Sequence, residues 1–404
     1  MSIGYHAVSR PMHKRRQGLL GRDLPWQRRL VYLAVIYIGV CAVCLSLAEV
    51  GFRLFWNPRY WIHTSRLLIG SGQTQAGKKW WPETNYSVES SEFRTEFRTN
   101  ALGYRARLNR SPISPYRVAF VGDSFTEGMQ VAQEATFCAQ LETLLGSANA
   151  GRAVECENFG VSATDLFDYW HRIVHDVLSS DPPDALVLCI YPGNDFQGEL
   201  PDSGFDADDR PLRDYYRNPS WAQHLIAWVN LHSKFGCYSQ RALLSLGGRA
   251  AVSKNPAPKN WWSHPALAAR SADCRALRRS RSIFAAIAAE CRERGTKLSI
   301  LVVGPVATYA AVDGKSPLAC ILADWGIDIP VVDIAIKARA LPGNHNLTFP
   351  IDGHLTESGH VYVARQAAPA LRSLMTPISS AARSASERRT SGSSRDHVAW
   401  RVAR

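Results

Sequence analysis

The chain has 404 residues, of which 46% are hydrophobic and 20% are charged, and this composition excludes an intrinsically disordered protein. Most of the excess behind its formal net charge of +12 lies before residue 30 and after residue 376, while the middle of the chain is nearly balanced. A nucleic-acid partner is therefore not predicted, because such binding needs the basic residues on one folded face. Residues 1–29 are predicted to be a basic cytoplasmic tail.

Residues 30–48 form an uninterrupted apolar run and are predicted to be a transmembrane anchor. At about 1.5 Å per residue, a helix of this length nearly spans a hydrocarbon core of about 30 Å. A cleaved signal peptide is the alternative, with Ser46 and Ala48 as the small residues of its cleavage pattern. The run exceeds a signal h-region of about 7–15 residues, which favours the anchor. Because arginines precede the run, the positive-inside rule predicts a cytoplasmic N-terminus and places the chain after about residue 50 in the periplasm or another extracytoplasmic compartment.

The cysteines neither assign a disulfide nor indicate a metal site. Cys41 and Cys44 lie in the apolar run, and an odd number of cysteines follows it. One or two disulfides would be allowed outside the cytoplasm, but the sequence does not assign their pairing. No CxxC pair occurs after the run, and no metal or other cofactor is predicted. Cys189 falls within an apolar strand and is predicted to be a core residue.

The rest of the chain divides by its pattern of apolar residues. Residues 49–110 lack strong periodicity and are predicted to be a connecting and packing segment, whereas short apolar runs alternate with helical spacing between residues 111 and 375. This alternation is typical of a parallel sheet covered by helices on both faces. The predicted strands are residues 117–122, 153–160, 184–191, 297–304 and 329–334, and the predicted helices are residues 132–146, 162–179 (starting at Ser162 or Thr164), 280–294 and 356–375.

About five strands predict an α/β fold of the flavodoxin-like three-layer sandwich type. An insertion at about residues 195–265 interrupts the alternation. Residues 376–404 form an Arg/Ser-rich tail that is predicted to be disordered. In an open parallel sheet, ligands bind beyond the carboxyl ends of the strands, so polar residues at those ends are the candidates for chemistry.

Polar residues do follow the predicted strand ends. Ser124 follows the first strand in a Gly-Asp-Ser turn, and Asp352 and His354 lie just before the last helix. A serine hydroxyl is a poor nucleophile until a base takes its proton, and a histidine oriented by a carboxylate is a suitable base. We therefore predict that Ser124 is the nucleophile, His354 its base and Asp352 the orienting carboxylate.

The tetrahedral oxyanion of acyl transfer needs hydrogen-bond donors. The predicted donors are the Ser124 N–H, the Gly160 N–H and the Asn194 amide; Gly160 lacks a Cβ and so allows close approach. Each residue also has a structural interpretation, because Ser124 could be a helix N-cap and the other two ordinary turn residues. Asp123, Asp195 and His360 are predicted to be structural.

These segments resemble the four blocks of the SGNH, or GDSL-type, hydrolase superfamily, which contribute Ser, Gly, Asn and His in that order. The matching segments are FVGDSFTEG with Ser124, ENFG with Gly160, YPGND with Asn194, and PIDGHLTESGH with Asp352 and His354. The resemblance covers about residues 92–375, including the lead-in FRTNALGYR. It implies a flavodoxin-like fold, no metal, and ester hydrolysis or acyl transfer, often of acetyl groups on carbohydrates.

One departure from the family concerns the spacing of the acid and the base. The family usually has Asp-x-x-His, whereas this chain has Asp352-x-His354. The identity of the group that orients His354 is therefore open at this point. A backbone carbonyl could hold the imidazole instead of Asp352.

The sequence thus predicts a membrane-anchored serine esterase acting on small acyl esters, acetyl above all, of envelope or exported carbohydrate. One alternative is an O-acyltransferase that uses the same site with a sugar hydroxyl as acceptor. Another is a catalytically silent scaffold for envelope assembly. A lipase for long acyl chains ranks lower, since the catalytic segments lack a long apolar run. Protein partners are left open.

Overall fold

The computed structural model describes residues 25–55, 60–62, 79–80, 82–105, 115–146, 153–192, 195–196, 200, 202–215, 275–305, 317–336 and 347–375, with scattered positions between 221 and 239. The chain divides into two compact units, Met1–Asn57 and Pro58–Arg404. In the first unit, helix α1 spans Trp26–Phe55, and none of its residues is buried. It is long and apolar enough to cross a membrane, a property that N-terminal signal sequences share.

Helix α1 extends beyond the predicted anchor at both ends. Charged residues continue the helix after residue 48, where Arg53 pairs with Glu49 one turn earlier. Such i,i+4 pairs stabilise a helix modestly, so the helix continues beyond the end of the apolar run from which it was predicted.

Three strands of the second unit form a small antiparallel sheet. Strands β1 (Tyr60–Ile62), β2 (Asn85–Ser90) and β3 (Arg94–Arg98) pair in the order β1-β2-β3. This sheet lies in the segment predicted only to connect and pack. A small core cluster covers it, made of Trp80, Tyr86, Val88, Phe97 and Met129.

The main sheet has five parallel strands, as predicted. They are β4 (Tyr116–Gly122), β5 (Val154–Gly160), β6 (Ala185–Ile190), β7 (Lys297–Pro305) and β8 (Val331–Ile336). Their spatial order is β5-β4-β6-β7-β8, which is the flavodoxin-like order. The order reverses between β4 and β6, so a ligand site is expected beyond the carboxyl ends of these two strands.

Helices cover both faces of the main sheet and complete the three layers. Alternate side chains of each strand point to opposite faces, and each face has its own core cluster. One face is covered by α4 (Leu166–Arg172), which continues as the π-helical turn Ile173–Val177, with α5 (Arg275–Glu293) and α6 (Pro317–Asp324). The other face is covered by α3 (Phe137–Gly146) and α7 (Glu357–Met375).

The buried strand cysteine predicted from the sequence lies in the second of these clusters. Cys189 is 3% exposed and packs with the α3 and α7 side of the sheet. Every cysteine that the structure describes is a free thiol, including those in α1. The buried ones among them, Cys138, Cys156, Cys189 and Cys291, therefore act as small apolar side chains.

Helix α4 begins later than predicted. Its N-cap is Asp165, whose carboxylate accepts from the N–H groups of Phe167 and Asp168. The predicted starts at Ser162 and Thr164 are wrong because both hydroxyls have other partners. Ser162 donates to Glu127, and Thr164 donates to a backbone carbonyl in its own turn. Local hydrogen bonds of this kind compete with helix capping.

Candidate active site

Ser124 is the first residue of helix α2 (Ser124–Glu127), which begins directly beyond the carboxyl end of β4. The N-cap is Asp123, whose Oδ1 accepts from the Phe125 N–H at 2.9 Å. This confirms the bracing role predicted for Asp123. It also replaces the N-cap interpretation of Ser124, whose hydroxyl is not used for capping.

The two candidates for acid–base chemistry meet Ser124 at this edge. Ser124 Oγ lies 2.7 Å from His354 Nε2, and His354 Nδ1 lies 2.6 Å from Asp352 Oδ1. With the Nδ1–H donated to the carboxylate, Nε2 is the lone-pair nitrogen that can accept the serine proton. The fold thus brings together the serine, histidine and carboxylate of the predicted series, although Ser124 and His354 are 230 positions apart.

A tight turn accommodates the short Asp-x-His spacing. Gly353, between the two residues, has φ of +82°, a left-handed conformation that glycine adopts without steric cost. The surrounding Asp-His loop (residues 347–356) is closed by backbone hydrogen bonds between Phe349 and both Gly353 and His354. Asp352, and not a backbone carbonyl, therefore contacts the imidazole in this structure.

The environment of His354 favours its protonated form. Burial lowers the pKa of His354, but the hydrogen bond and negative charge of Asp352 outweigh burial and raise the pKa above the ordinary value of 6.5. Asp123 and Glu127 contribute in the same direction. This arrangement stabilises the imidazolium that forms when His354 takes the serine proton.

Gly160 lies at the same edge but does not match its predicted role. Its N–H donates to Asn158 Oδ1 at 2.9 Å. A Cβ at Gly160 would stand 2.2 Å from the backbone nitrogen of Glu127, which no real side chain tolerates. The geometry therefore supports a packing role, in which the missing Cβ lets β5 approach α2, and does not support the predicted oxyanion donor. Sequence reasoning could not separate the two roles, since both require glycine.

The other two predicted oxyanion donors are the Ser124 N–H and the Asn194 amide. The Ser124 N–H belongs to the first turn of α2, where N–H groups lack intrahelical partners, and it has no hydrogen-bond partner among the described residues. Asn194 lies outside the described residues, so the structure does not place its amide. The adjacent Asp195 is buried and accepts from Tyr169 Oη at 2.7 Å and from the Tyr191 N–H at 2.8 Å, in agreement with its predicted bracing role.

Glu127 is a site-forming residue that sequence reasoning missed. It is fully buried, and its carboxylate accepts from Trp80 Nε1, from the Ser162 N–H at 2.7 Å and from Ser162 Oγ. These contacts connect helix α2 to the turn after β5 and to Trp80, which precedes the β2–β3 hairpin. The only sequence signal is its position one helical turn after Ser124, which does not identify its partners.

The turn after β5 contains a strained residue. Ala163 has φ of +53°, a left-handed conformation that costs a residue with a Cβ about 1–2 kcal/mol. Strain of this kind persists only where the surrounding structure enforces it, and it concentrates at functional sites. The neighbouring Ser162, held by Glu127, is part of that enforcement.

His360 is structural, as predicted. It is 1% exposed, and its Nδ1 accepts the Phe137 N–H at 3.1 Å. Burial, together with the charges of Arg105 and His354, lowers its pKa to about 3. A neutral, buried imidazole with its acceptor already used is not a candidate base for the nucleophile.

A cavity of about 600 Å³ lies between β3 and the start of α7. It adjoins the Asp-His loop through Phe349 and Thr356, but neither Ser124 nor His354 lines it. It is therefore separate from the nucleophile. Among the described residues, no group of three or more His, Cys, Asp or Glu side chains is arranged to hold a metal ion.

Comparison with known proteins finds similarity among solved structures. No family model and no curated protein matches the sequence. The solved structures include TesA (13% identity, TM-score 0.33, covering 64% of this chain and 99% of that one) and a lipolytic G-D-S-L family protein from Veillonella parvula DSM 2008 (12%, TM-score 0.29, 62% and 95%). A two-domain esterase active on acetylated mannans is also similar (14%, TM-score 0.31, 65% and 50%). Two of these three are thus described as a lipolytic G-D-S-L family protein and an esterase.

Proposed function

We propose that this chain is a serine esterase of the SGNH type, which removes small acyl groups, acetyl above all, from carbohydrate through an acyl-enzyme at Ser124. The observation that carries the proposal is the hydrogen-bonded series from Ser124 Oγ to His354 and on to Asp352, with distances of 2.7 and 2.6 Å. This series lies at the sheet edge where open parallel sheets place their ligand sites.

The geometry supports a double-displacement mechanism. His354 Nε2 takes the proton of Ser124 Oγ as that oxygen attacks the ester carbonyl, and Asp352 stabilises the imidazolium that results. The Ser124 N–H, and the Asn194 amide as a proposed second donor, bind the oxyanion. His354 then returns the proton to the departing sugar oxygen and leaves the acyl group on Ser124. Water deacylates the enzyme by the reverse sequence, with His354 again as base, and the free acid is released.

The apolar side chains beside the base are two aromatic rings. The Phe125 ring lies 5.0 Å from the His354 ring and stacks on Tyr191 at 4.1 Å. A small acyl group, and carbohydrate as the alcohol part of the ester, are what the family resemblance implies.

The proposed location is the extracytoplasmic side of a membrane, with α1 as an uncleaved anchor. The support is the length and apolar character of α1 and the arginines that precede it. N-terminal sequencing of the mature protein tests the anchor, because a cleaved signal would leave a new N-terminus near residue 49. The orientation is tested with a reporter that is active only outside the cytoplasm. If the orientation is correct, this reporter should be active when it is fused after residue 375.

Ester hydrolysis itself is tested with the full chain in detergent, p-nitrophenyl acetate as substrate, and a matched pair of serine variants. We expect S124A to lose at least about 10³-fold in kcat, since the nucleophile and its base act as a unit. S180A, at an exposed serine, should retain wild-type activity. Equal rates for S124A and the wild type would exclude Ser124 as the nucleophile. A fluorophosphonate probe should label Ser124, whereas a silent scaffold would remain unlabelled.

Product analysis identifies the acyl acceptor. An acetyl donor is offered to the protein together with soluble glycans, and the products are separated. Free acetate alone is the expected result for the proposed esterase. Acetylated glycan would instead identify an O-acyltransferase that uses the same acyl-enzyme. Chain-length profiling from acetyl to palmitoyl esters tests the small-acyl preference, and faster turnover of palmitoyl esters would contradict it.

A further inference from the structure

One carboxylate of the β2–β3 hairpin accepts two hydrogen bonds from the Asp-His loop. Glu92, at the tip of the hairpin, accepts the Ile351 N–H on Oε1 at 2.9 Å and the Asp352 N–H on Oε2 at 2.7 Å. Hydrogen bonds to an ionised acceptor are about twice as strong as neutral ones, and two in parallel also fix orientation. Glu92 thus holds the backbone of the residue whose side chain orients the base.

Hydrogen bonds within the hairpin tip hold the backbone that carries Glu92. Ser90 Oγ accepts the N–H groups of Glu92 at 3.0 Å and Phe93 at 3.2 Å, while the Ser90 N–H donates to the Phe93 carbonyl at 2.8 Å. The Phe93 ring lies 5.1 Å from the ring of Phe349, which belongs to the Asp-His loop. A polar and an aromatic contact therefore join the two segments side by side.

The Asp-His loop needs an outside support, because its outermost part lacks apolar burial. Ile351 is 81% exposed, so no core packing anchors the residue next to Asp352. The short Asp-x-His spacing leaves one residue, Gly353, to bring the carboxylate to the imidazole. Glycine is also the residue with the greatest backbone freedom to lose.

The hairpin has a fixed base from which to provide this support. Thr95 Oγ1 donates to the Met129 carbonyl, and Trp80 just before the hairpin donates to Glu127. Both partners lie in the stretch that directly follows the nucleophile. The hairpin and Trp80 before it therefore contact both the Ser124 side and the His354 side of the site.

We propose that Glu92 is a positioning residue of the serine esterase, which holds the Asp-His loop so that Asp352 meets His354. The inference rests on the proposed function. The contacts of Glu92 with this loop are to the backbone N–H groups of Ile351 and Asp352. The proposed action on the base is therefore exerted through the position of Asp352.

The test compares E92A and E92Q with E96A, all in the full chain in detergent. Glu96 lies on the same hairpin with its side chain exposed, so E96A removes the same charge without touching the Asp-His loop. Three quantities are measured for each variant, namely kcat and KM for p-nitrophenyl acetate and the pKa of His354 from NMR of labelled histidine, assigned with H354N.

We expect E92A to lower kcat about tenfold, equivalent to about 1.4 kcal/mol of transition-state stabilisation, with KM little changed. The His354 pKa should fall in E92A because the Asp352 contact that raises it is loosened. E92Q keeps one acceptor oxygen and should fall between E92A and the wild type, and E96A should match the wild type. If E92A does not fold, E92Q provides the same comparison.

A folded E92A with wild-type kcat and an unchanged His354 pKa would overturn the proposal, as would an equal loss in E96A. The titration also separates this inference from the proposed function. If the wild-type protein hydrolyses no ester, the proposed function fails, while the His354 pKa of the Glu92 variants still shows whether Glu92 positions Asp352.

Discussion

Gly160 lies so close to Glu127 that a Cβ on the glycine would stand 2.2 Å from the Glu127 backbone nitrogen. Beside this contact, Asn158 Nδ2 donates to the Thr126 carbonyl at 2.7 Å. The carboxyl end of β5 and the helix that carries Ser124 are therefore packed backbone to backbone. The position of Ser124, the proposed nucleophile, consequently depends on a strand that supplies none of the proposed reacting groups.

The first prediction concerns this contact. G160A should lower the free energy of unfolding by about 1–3 kcal/mol, as overpacking does, and should lower the esterase rate because α2 is displaced. G146A is the matched control, since a Cβ there meets nothing within 4 Å. Urea unfolding and p-nitrophenyl acetate hydrolysis check both effects. A G160A protein with wild-type stability and rate would contradict the packing role.

A second prediction concerns the buried Glu127 carboxylate, which accepts hydrogen bonds from Trp80 and twice from Ser162. E127Q replaces one acceptor oxygen with a donor, so at least one buried donor loses its partner at a cost of about 1–3 kcal/mol. Urea unfolding should show this loss, and S162A, which keeps the Glu127 carboxylate, should lose less. E134Q, at an exposed position, is the control. Equal stability of E127Q and E134Q would show that the network contributes nothing.

The third prediction is a pH profile. Ester hydrolysis requires neutral His354, whose pKa lies above 6.5, so the wild-type rate should fall on the acid side with a midpoint above 6.5. D352N removes the group that raises this pKa and holds the tautomer. Its midpoint should move to lower pH, while its plateau drops by about 10²–10⁴-fold.

D328N, at an exposed aspartate, is the control for that profile. Rates are measured between pH 5 and 8 in about 0.1 M salt, so that distant charges are screened equally in each variant. An unshifted acid midpoint in D352N would show that Asp352 does not govern the titration of His354.

The fourth prediction concerns stability in acid. Burial lowers the pKa of His360 to about 3 in the folded protein, whereas the unfolded chain takes up a proton near 6.5. Between these values the unfolded state binds more protons. Stability should therefore fall as pH decreases below about 6.5, at about 1 kcal/mol per pH unit from this residue.

H360N removes this titration while its side-chain oxygen can still accept the Phe137 N–H. The two proteins are compared by urea unfolding between pH 7 and pH 5. We expect the stability advantage of the wild type over H360N to shrink as pH falls. A constant difference across this range would show that His360 does not titrate on unfolding.

Much of the main sheet could be predicted because a strand buried on both faces appears in the sequence as a short apolar run. Each strand of a covered parallel sheet is a short apolar run, and β4 is buried along its whole length. Ser124 was accessible to the same reasoning, since it follows such a run in a turn. The short antiparallel strands β2 and β3 were not, because their core partners Trp80 and Met129 lie outside the strands and leave no period in the sequence.

The sequence by itself determined the α/β sandwich and nominated Ser124 and His354 as candidates, since these depend on strand periodicity and on residue types in the turns that precede helices; it left the partner of His354 open. Only the tertiary structure decided which groups meet. It directed the Gly160 N–H to Asn158, placed Asp352 against His354 despite the short spacing, and brought Glu92 to the Asp-His loop. The physical reason is that a hydrogen bond depends on distance and direction between groups far apart in the chain, and no local pattern encodes these.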